Sequence, residues 1–274
     1  MAYDQELHDH DRGLSHDLPA LLSRRRALTL LGGAGLAAAL AGCGITGSDG
    51  GAGGSPTTGA AAAAASDGTG IPEETAGPYP GDGSNGVNVL TESGIVRSDI
   101  TGSFGSASGV AQGVPLTIRL KVLDTGNGAA GLQGAAVYLW HCDRDGRYSL
   151  YSEGITQENY LRGVQETGSD GSVRFTSIYP GAYAGRWPHV HFEVYPSLEA
   201  ATTASGKLRT SQLALPEAPC KLVYATEGYG QSLQNLARSS LETDMVFSDG
   251  YSLQLATVTG NVTDGMTATL NVPV

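Results

Sequence analysis

The chain has 274 residues and a formal net charge of −11 at pH 7, from 16 Lys and Arg against 27 Asp and Glu. That balance argues against nucleic acid as a partner, because a phosphate backbone is held mainly by clustered cations. Forty glycines, and twelve tyrosines against four phenylalanines, point to many short strands joined by turns.

Residues 23–29 read SRRRALT, a twin arginine, and an apolar run follows from Leu28 to Gly42. The run has the length of a signal-peptide core and is short for a membrane span. It ends Leu40-Ala41-Gly42-Cys43, which is similar to the lipobox in which the cysteine receives lipid and becomes the new N-terminus. These features predict a twin-arginine lipoprotein signal over 1–43 with lipidation at Cys43. The product is expected outside the cell, lipid-anchored on the outer face of the cytoplasmic membrane or secreted. Residues 44–70 carry no large apolar side chain after Ile45 and read as a flexible Gly/Ala/Ser tether. A single folded domain over 71–274 is expected. With Cys43 assigned to lipid, Cys142 and Cys220 remain in an oxidising compartment. A disulfide between them is expected, against the alternative of two buried thiols.

In LTIRLKVLD, Leu116, Ile118, Leu120 and Val122 alternate with polar residues, the period of a half-buried strand. AAVYLWHCD (135–143) is mostly apolar and reads as a strand buried on both faces. SVRFTSI (172–178) and HVHFEVYP (189–196) follow as strands. YSLQLATVTG, opened by SDG at 248–250, and TATLNVPV close the series. One helix-like stretch, SLQNLARSSLET (232–243), is present. The fold class is therefore all-β, a β-sandwich of antiparallel strands with long loops and little helix.

Alternation along HVHFEV puts Val190, Phe192 and Val194 on one face and His189, His191 and Glu193 on the other. The two imidazoles start about 7 Å apart at their Cα atoms, close enough for both Nε2 atoms to reach one ion. The alternative is a pair of exposed histidines on an edge strand. Beyond Cys43 the only other histidine is His141, beside Trp140 in an apolar strand, which reads as a satisfied core residue. Further ligands to a metal must therefore be oxygen donors. Tyr183 lies on the turn of PGAYAGR just before the strand, and Tyr148 on the turn of DGRYSLY. Tyr179 competes with Tyr183 but precedes Pro180 and reads as packed. Two phenolates and two imidazoles suit a hard trivalent ion, Fe(III), better than Zn(II).

Four segments, in order, resemble the intradiol ring-cleavage dioxygenases, the family of protocatechuate 3,4-dioxygenase and catechol 1,2-dioxygenase. They are EETAGPYP (73–80), VYLWHCDRDGRYS (137–149), GSVRFTSIYPGAYAGRWPHVHF (171–192) and TSQL (210–213). The third is the most specific, and the likeness covers roughly 71–215. The resemblance implies a β-sandwich with non-haem Fe(III) on Tyr148, Tyr183, His189 and His191, Tyr183 being the axial ligand and a hydroxide the fifth. It further implies that Arg186 steadies negative charge beside the bound ring, that Gln212 lines the pocket, and that Tyr79 lines its mouth. The implied reaction takes a catechol-type diol and O2 to a cis,cis-muconate-type product, with the hydroxide and Tyr183 removing the diol protons. The substituents on the ring stay open, a homo-oligomer is allowed, and 216–274 match nothing in that pattern. The rival reading is an anchored extracellular β-sandwich binding module without a redox metal.

Overall fold

The computed structural model describes residues 69–203 and 205–274, so the predicted signal, Cys43 and nearly all of the tether lie outside the described residues. Ile71, where the domain is expected to begin, is buried, and its N–H donates to the Pro273 carbonyl at 2.8 Å.

Period-2 patterning sets the first layer. β1 (Pro115–Asp124) buries Leu116, Ile118, Leu120 and Val122 and exposes Arg119 and Lys121 on its other side. It pairs antiparallel with β5 (Ser172–Ile178) and parallel with β9 (Gly265–Pro273). β8 (Thr257–Asn261) extends the sheet beyond β9, and the short β2 (Ala130–Gly131) shares an edge of β1 with β5. The second sheet runs β4 (Arg162–Glu166), β3 (Ala136–Trp140), β6 (His189–Tyr195), β7 (Arg209–Ala214), antiparallel throughout. Between the sheets, the buried row of β1 meets Phe175, Leu270 and Val272 from its own layer. Val137, Leu139, Val190, Phe192, Val194 and Leu213 face them from the other. The molecule is the expected all-β sandwich, except that the pairing is not antiparallel throughout: β1 and β9 run parallel.

The four-stranded sheet is covered on its outer face as well. Ala136, Tyr138, Trp140, Val164 and Tyr195 pack there against Val89, Leu90 and Ile95 from the segment ahead of β1. Ala201 of the short helix α1 (Leu198–Thr202) joins them. Burial on both faces explains why β3 reads as an unbroken apolar run. β6 is likewise buried at all seven positions and lies inside the sheet, so its histidines are not on a solvent-facing edge.

Three expectations need correcting. The strand foreseen from Tyr251 begins only at Thr257; residues 251–255 form a turn in which Gln254 N and Leu255 N both donate to the Tyr251 carbonyl. The helix foreseen over 232–243 is α3 (Gly230–Leu236), which stops where Ser239 Oγ takes over the carbonyls of Asn235 and Leu236 at 3.3 and 3.4 Å. An unforeseen helix, α2 (Glu217–Tyr224), carries Pro219 in its first turn, where a missing N–H costs nothing. Finally, Cys142 and Cys220 are separate thiols and do not form a disulfide. Cys142 belongs to the outer cluster and donates to the Gly181 carbonyl at 3.4 Å. Cys220 sits in the sandwich core, 3.3 Å from Tyr179 Oη. Counting cysteines cannot see that the two occupy different layers.

Candidate metal centre

The outer face of β6 carries the two histidines. His191 is paired across the sheet with Trp140 on one side and Gln212 on the other, and its ring stacks on Trp140 at 5.0 Å with 5° between planes. His189 Nδ1 lies 2.5 Å from the Trp187 carbonyl. A carbonyl only accepts, so the proton sits on Nδ1 and Nε2 presents a lone pair. The two Nε2 atoms are 3.1 Å apart. Burial, reinforced by the Arg186 charge, holds the pKa of both rings well below the usual histidine value, so they stay neutral.

Two turns bring the phenols. Tyr183 Oη is 3.3 Å from His189 Nε2. Its turn is held from both sides: Gly181 N donates to the Asp143 carbonyl at 3.0 Å, while Ser232 and Asn235 of α3 bond the backbone N–H and carbonyl of Ala182. Tyr148 follows a tight turn in which Asp143 Oδ1 accepts from Asp145 N and Arg147 N, both at 2.9 Å, and Gly146 adopts φ +82°. The Tyr148 ring lies 5.9 Å from Tyr183 and 6.2 Å from His191, centroid to centroid, edge-on to both. Its Oη is buried without an aligned hydrogen-bond partner, and burial together with the neighbouring Tyr183 phenol opposes its ionisation. Tyr179, by contrast, points into the sandwich core beside Cys220 and Tyr224, and His141 is satisfied by the Cys142 carbonyl and Ser177 Oγ.

Arg186 is buried and its donors are aimed. Nε donates to Asp244 Oδ2 at 3.0 Å and Nη2 to Gln212 Oε1 at 2.6 Å, while Gln212 Nε2 donates to the Thr75 carbonyl at 2.9 Å. Tyr79 stands over Tyr148, ring centroids 4.9 Å apart, with Tyr151 5.2 Å beyond it. All the residues named from sequence as ligands or pocket groups thus gather at one place; the cysteines do not.

Several participants went unrecognised in the sequence. Buried Arg162 donates to the carbonyls of Tyr79, Pro80 and Ser149 and to the hydroxyls of Tyr138 and Ser149, at 2.9–3.1 Å. It thereby ties the Tyr79 segment to the Tyr148 turn. Gly77 and Gly146 give clearance: a Cβ would lie 3.2 Å from His191 Cε1 at the first and 3.1 Å from Tyr183 Cβ at the second. Asp244 lies in the region that matched no motif. The G-P and D-G steps around the two glycines carried a turn signal; Arg162 and Asp244 carried none.

These features suit a bound cation. Two neutral imidazole nitrogens face each other, a buried phenol lacks an aligned partner, and His191 Nδ1 also lacks one. Among the described residues no group of three or more His, Cys, Asp or Glu side chains is placed to hold a metal, so a metal here depends on the mixed imidazole and phenol set.

Residues 101–203 match the sequence model of the family described as Dioxygenase. Over 52 residues the chain is 38% identical to the chlorocatechol 1,2-dioxygenase of Rhodococcus opacus, an alignment spanning 19% of this chain and 20% of that protein. The alignment therefore covers only about a fifth of that curated relative. Among solved structures, an intradiol ring-cleavage dioxygenase from Tetranychus urticae superposes with a TM-score of 0.57 at 25% identity, over 74% of this chain and 92% of the other. Residues 101–203 are similar to the dioxygenase family, and the described domain shares its fold with the intradiol ring-cleavage dioxygenase from Tetranychus urticae.

Proposed function

We propose that the chain is a non-haem Fe(III) intradiol dioxygenase, which opens a catechol-type ring between its two hydroxylated carbons with O2 to give a cis,cis-muconate-type product. One observation carries the reading: His189 Nε2 has both Tyr183 Oη and His191 Nε2 within 3.3 Å, with the Tyr148 phenol buried alongside. Tyr148, Tyr183, His189 and His191 would hold the iron. When bound, a ferric ion supplies a Lewis acid and an electron-accepting partner for a chelated diol.

The remaining work falls to the chain. The histidines stay neutral because they are buried, so they would bind as lone-pair donors. Tyr183 is the less buried of the two phenols and lies on a turn, which suits it to take up a diol proton at Oη. Arg186, fixed by Gln212 and Asp244, is a preorganised cation where negative charge gathers beside the ring. Tyr79 offers an aromatic wall to the substrate.

The test is colour and oxygen uptake. Iron-loaded protein should be burgundy from tyrosinate-to-iron charge transfer and consume O2 with at least one member of a panel of catechol, protocatechuate and hydroxyquinol. Tyr183→Phe should weaken the colour far more than Tyr179→Phe; the reverse order would overturn the ligand assignment. Protein that takes up no iron and stays colourless would sink the reading in favour of a binding module. The proposal includes export and a lipid anchor at Cys43. Cys43→Ser should shift the protein from membranes to the soluble fraction, and an unchanged distribution would refute the anchor.

A further inference from the structure

We infer that Asp244 is the positioning residue for Arg186, fixing the plane of its guanidinium and moderating its charge, and that through Arg186 it governs how tightly the diol is held. The inference rests on the reading of the centre as a diol site. It extends the working part of the protein into a segment that lies beyond residues 101–203 and carries no motif.

The Asp244 side chain is 0% exposed and that of Arg186 1%. Oδ2 accepts from Arg186 Nε at 3.0 Å and from the backbone N–H of Trp187 at 2.6 Å. Oδ1 accepts from Arg186 Nη2 at 3.4 Å and from the N–H groups of Val246 and Phe247 at 2.9 and 3.3 Å. One carboxylate thus clamps the guanidinium, the backbone two residues before His189, and its own turn. The arrangement does two things that packing alone does not require. It stops a long, rotatable side chain from turning, with Gln212 as the second stop on Nη2. It also sets an anion against a cation that burial would otherwise make costly. A residue serving only to close the 244–247 turn would need the two N–H groups that donate to Oδ1 and no contact with Arg186.

The experiment compares Asp244→Asn, Arg186→Gln and the double variant in iron-loaded protein. The readouts are visible absorbance, anaerobic titration with 4-nitrocatechol, and kcat and KM for the best diol of the panel. Asp244→Asn should keep the iron colour and weaken 4-nitrocatechol binding and kcat/KM by roughly 10- to 100-fold. The double variant should be no worse than Arg186→Gln alone. Losses that multiply in the double variant, or unchanged diol binding in Asp244→Asn, would overturn the inference. Asp244→Glu, which keeps the charge, should recover part of the binding; a variant as poor as Asp244→Asn would argue against a charge-dependent role. Unfolding midpoints of the metal-free variants give a readout independent of catalysis. The shifts should be strongly non-additive, because the double variant leaves no unpaired buried charge, and additive shifts would sink the link. If wild-type protein cleaves no diol while the midpoints are non-additive, the dioxygenase reading fails and the Asp244–Arg186 link stands.

Discussion

Gly77→Ala tests whether the segment ahead of the sandwich helps to shape the proposed metal centre. Gly77 has φ +71°, in the left-handed region, where an alanine costs about 1–2 kcal/mol from its own Cβ. Alanine also stiffens the unfolded chain, which gives back up to about 1 kcal/mol only where the folded backbone is compatible, and here it is not. The new methyl would sit 3.2 Å from His191 Cε1 and 3.7 Å from Nε2. His191 has little freedom to yield, being stacked on Trp140 at 5.0 Å with its Nε2 3.1 Å from His189 Nε2. Two effects are therefore expected and are separable. Urea unfolding of the metal-free protein should show a loss of about 1–2 kcal/mol. Iron affinity, by competition with a chelator, should fall about 10- to 100-fold, the usual effect of disturbing a group that orients a ligand. Loss of stability with unchanged affinity would mean that Gly77 answers only to its backbone, and the claim that it shapes the centre would be refuted.

Tyr148→Phe removes a buried hydroxyl that has no aligned partner, so metal-free stability should stay within about 1 kcal/mol of wild type while the tyrosinate colour falls; a loss above about 3 kcal/mol would mark the phenol as structural. Arg162→Met removes the guanidinium donor from the carbonyls of Tyr79 and Ser149, while the Pro80 carbonyl keeps Tyr138 Oη at 2.6 Å, and at about 1–3 kcal/mol for each of the two the cost should exceed about 2 kcal/mol by denaturant unfolding. His141 has its pKa pushed down to about 4 by burial, below its unfolded value near 6.5. The unfolded chain therefore binds the proton first, and His141 should draw off about 3 kcal/mol of stability as pH falls from 6.5 to 4. His141→Gln should flatten that part of the stability curve, and an unchanged curve would show that the ring titrates freely.

Legibility followed the strength of local pattern. The strands at 115–124, 172–178 and 189–195 stood out because apolar and polar residues alternate or run together where a sheet is covered on one face or two. The same alternation placed His189 and His191 on one side, and the proline-glycine turn separated Tyr183 from the core residue Tyr179. Arg162 and Asp244 look in sequence like surface charges, because burial of an ion depends on partners far along the chain: Tyr79 and Pro80 for one, Arg186 for the other. Gln254 was hidden for the same reason, donating from the C-terminal turn to the Gln212 carbonyl at 3.2 Å. The cysteines misled because their separation in layers has no local signature.

The placement of the centre on β6 also explains how its register is secured. Side chains of a strand alternate, so a slip of one residue would put Val190 and Phe192 where the histidines stand and drive the imidazoles into the sandwich core. That slip would also set His189, His191 and Glu193 among the apolar side chains of the sandwich core without partners, at about 1–3 kcal/mol each, so roughly 3–9 kcal/mol in all. A loss of that size approaches the whole stability of an ordinary domain. The ligand pair itself contributes little to choosing its register, since two neutral rings with Nε2 atoms 3.1 Å apart are not mutually stabilising without a cation between them or a shared proton. The apolar face of β6 holds the strand in the position its polar face needs. The loops that carry Tyr148, Tyr183 and Arg186 can then be anchored by distant groups such as Arg162, α3 and Asp244 without having to fix the strand as well.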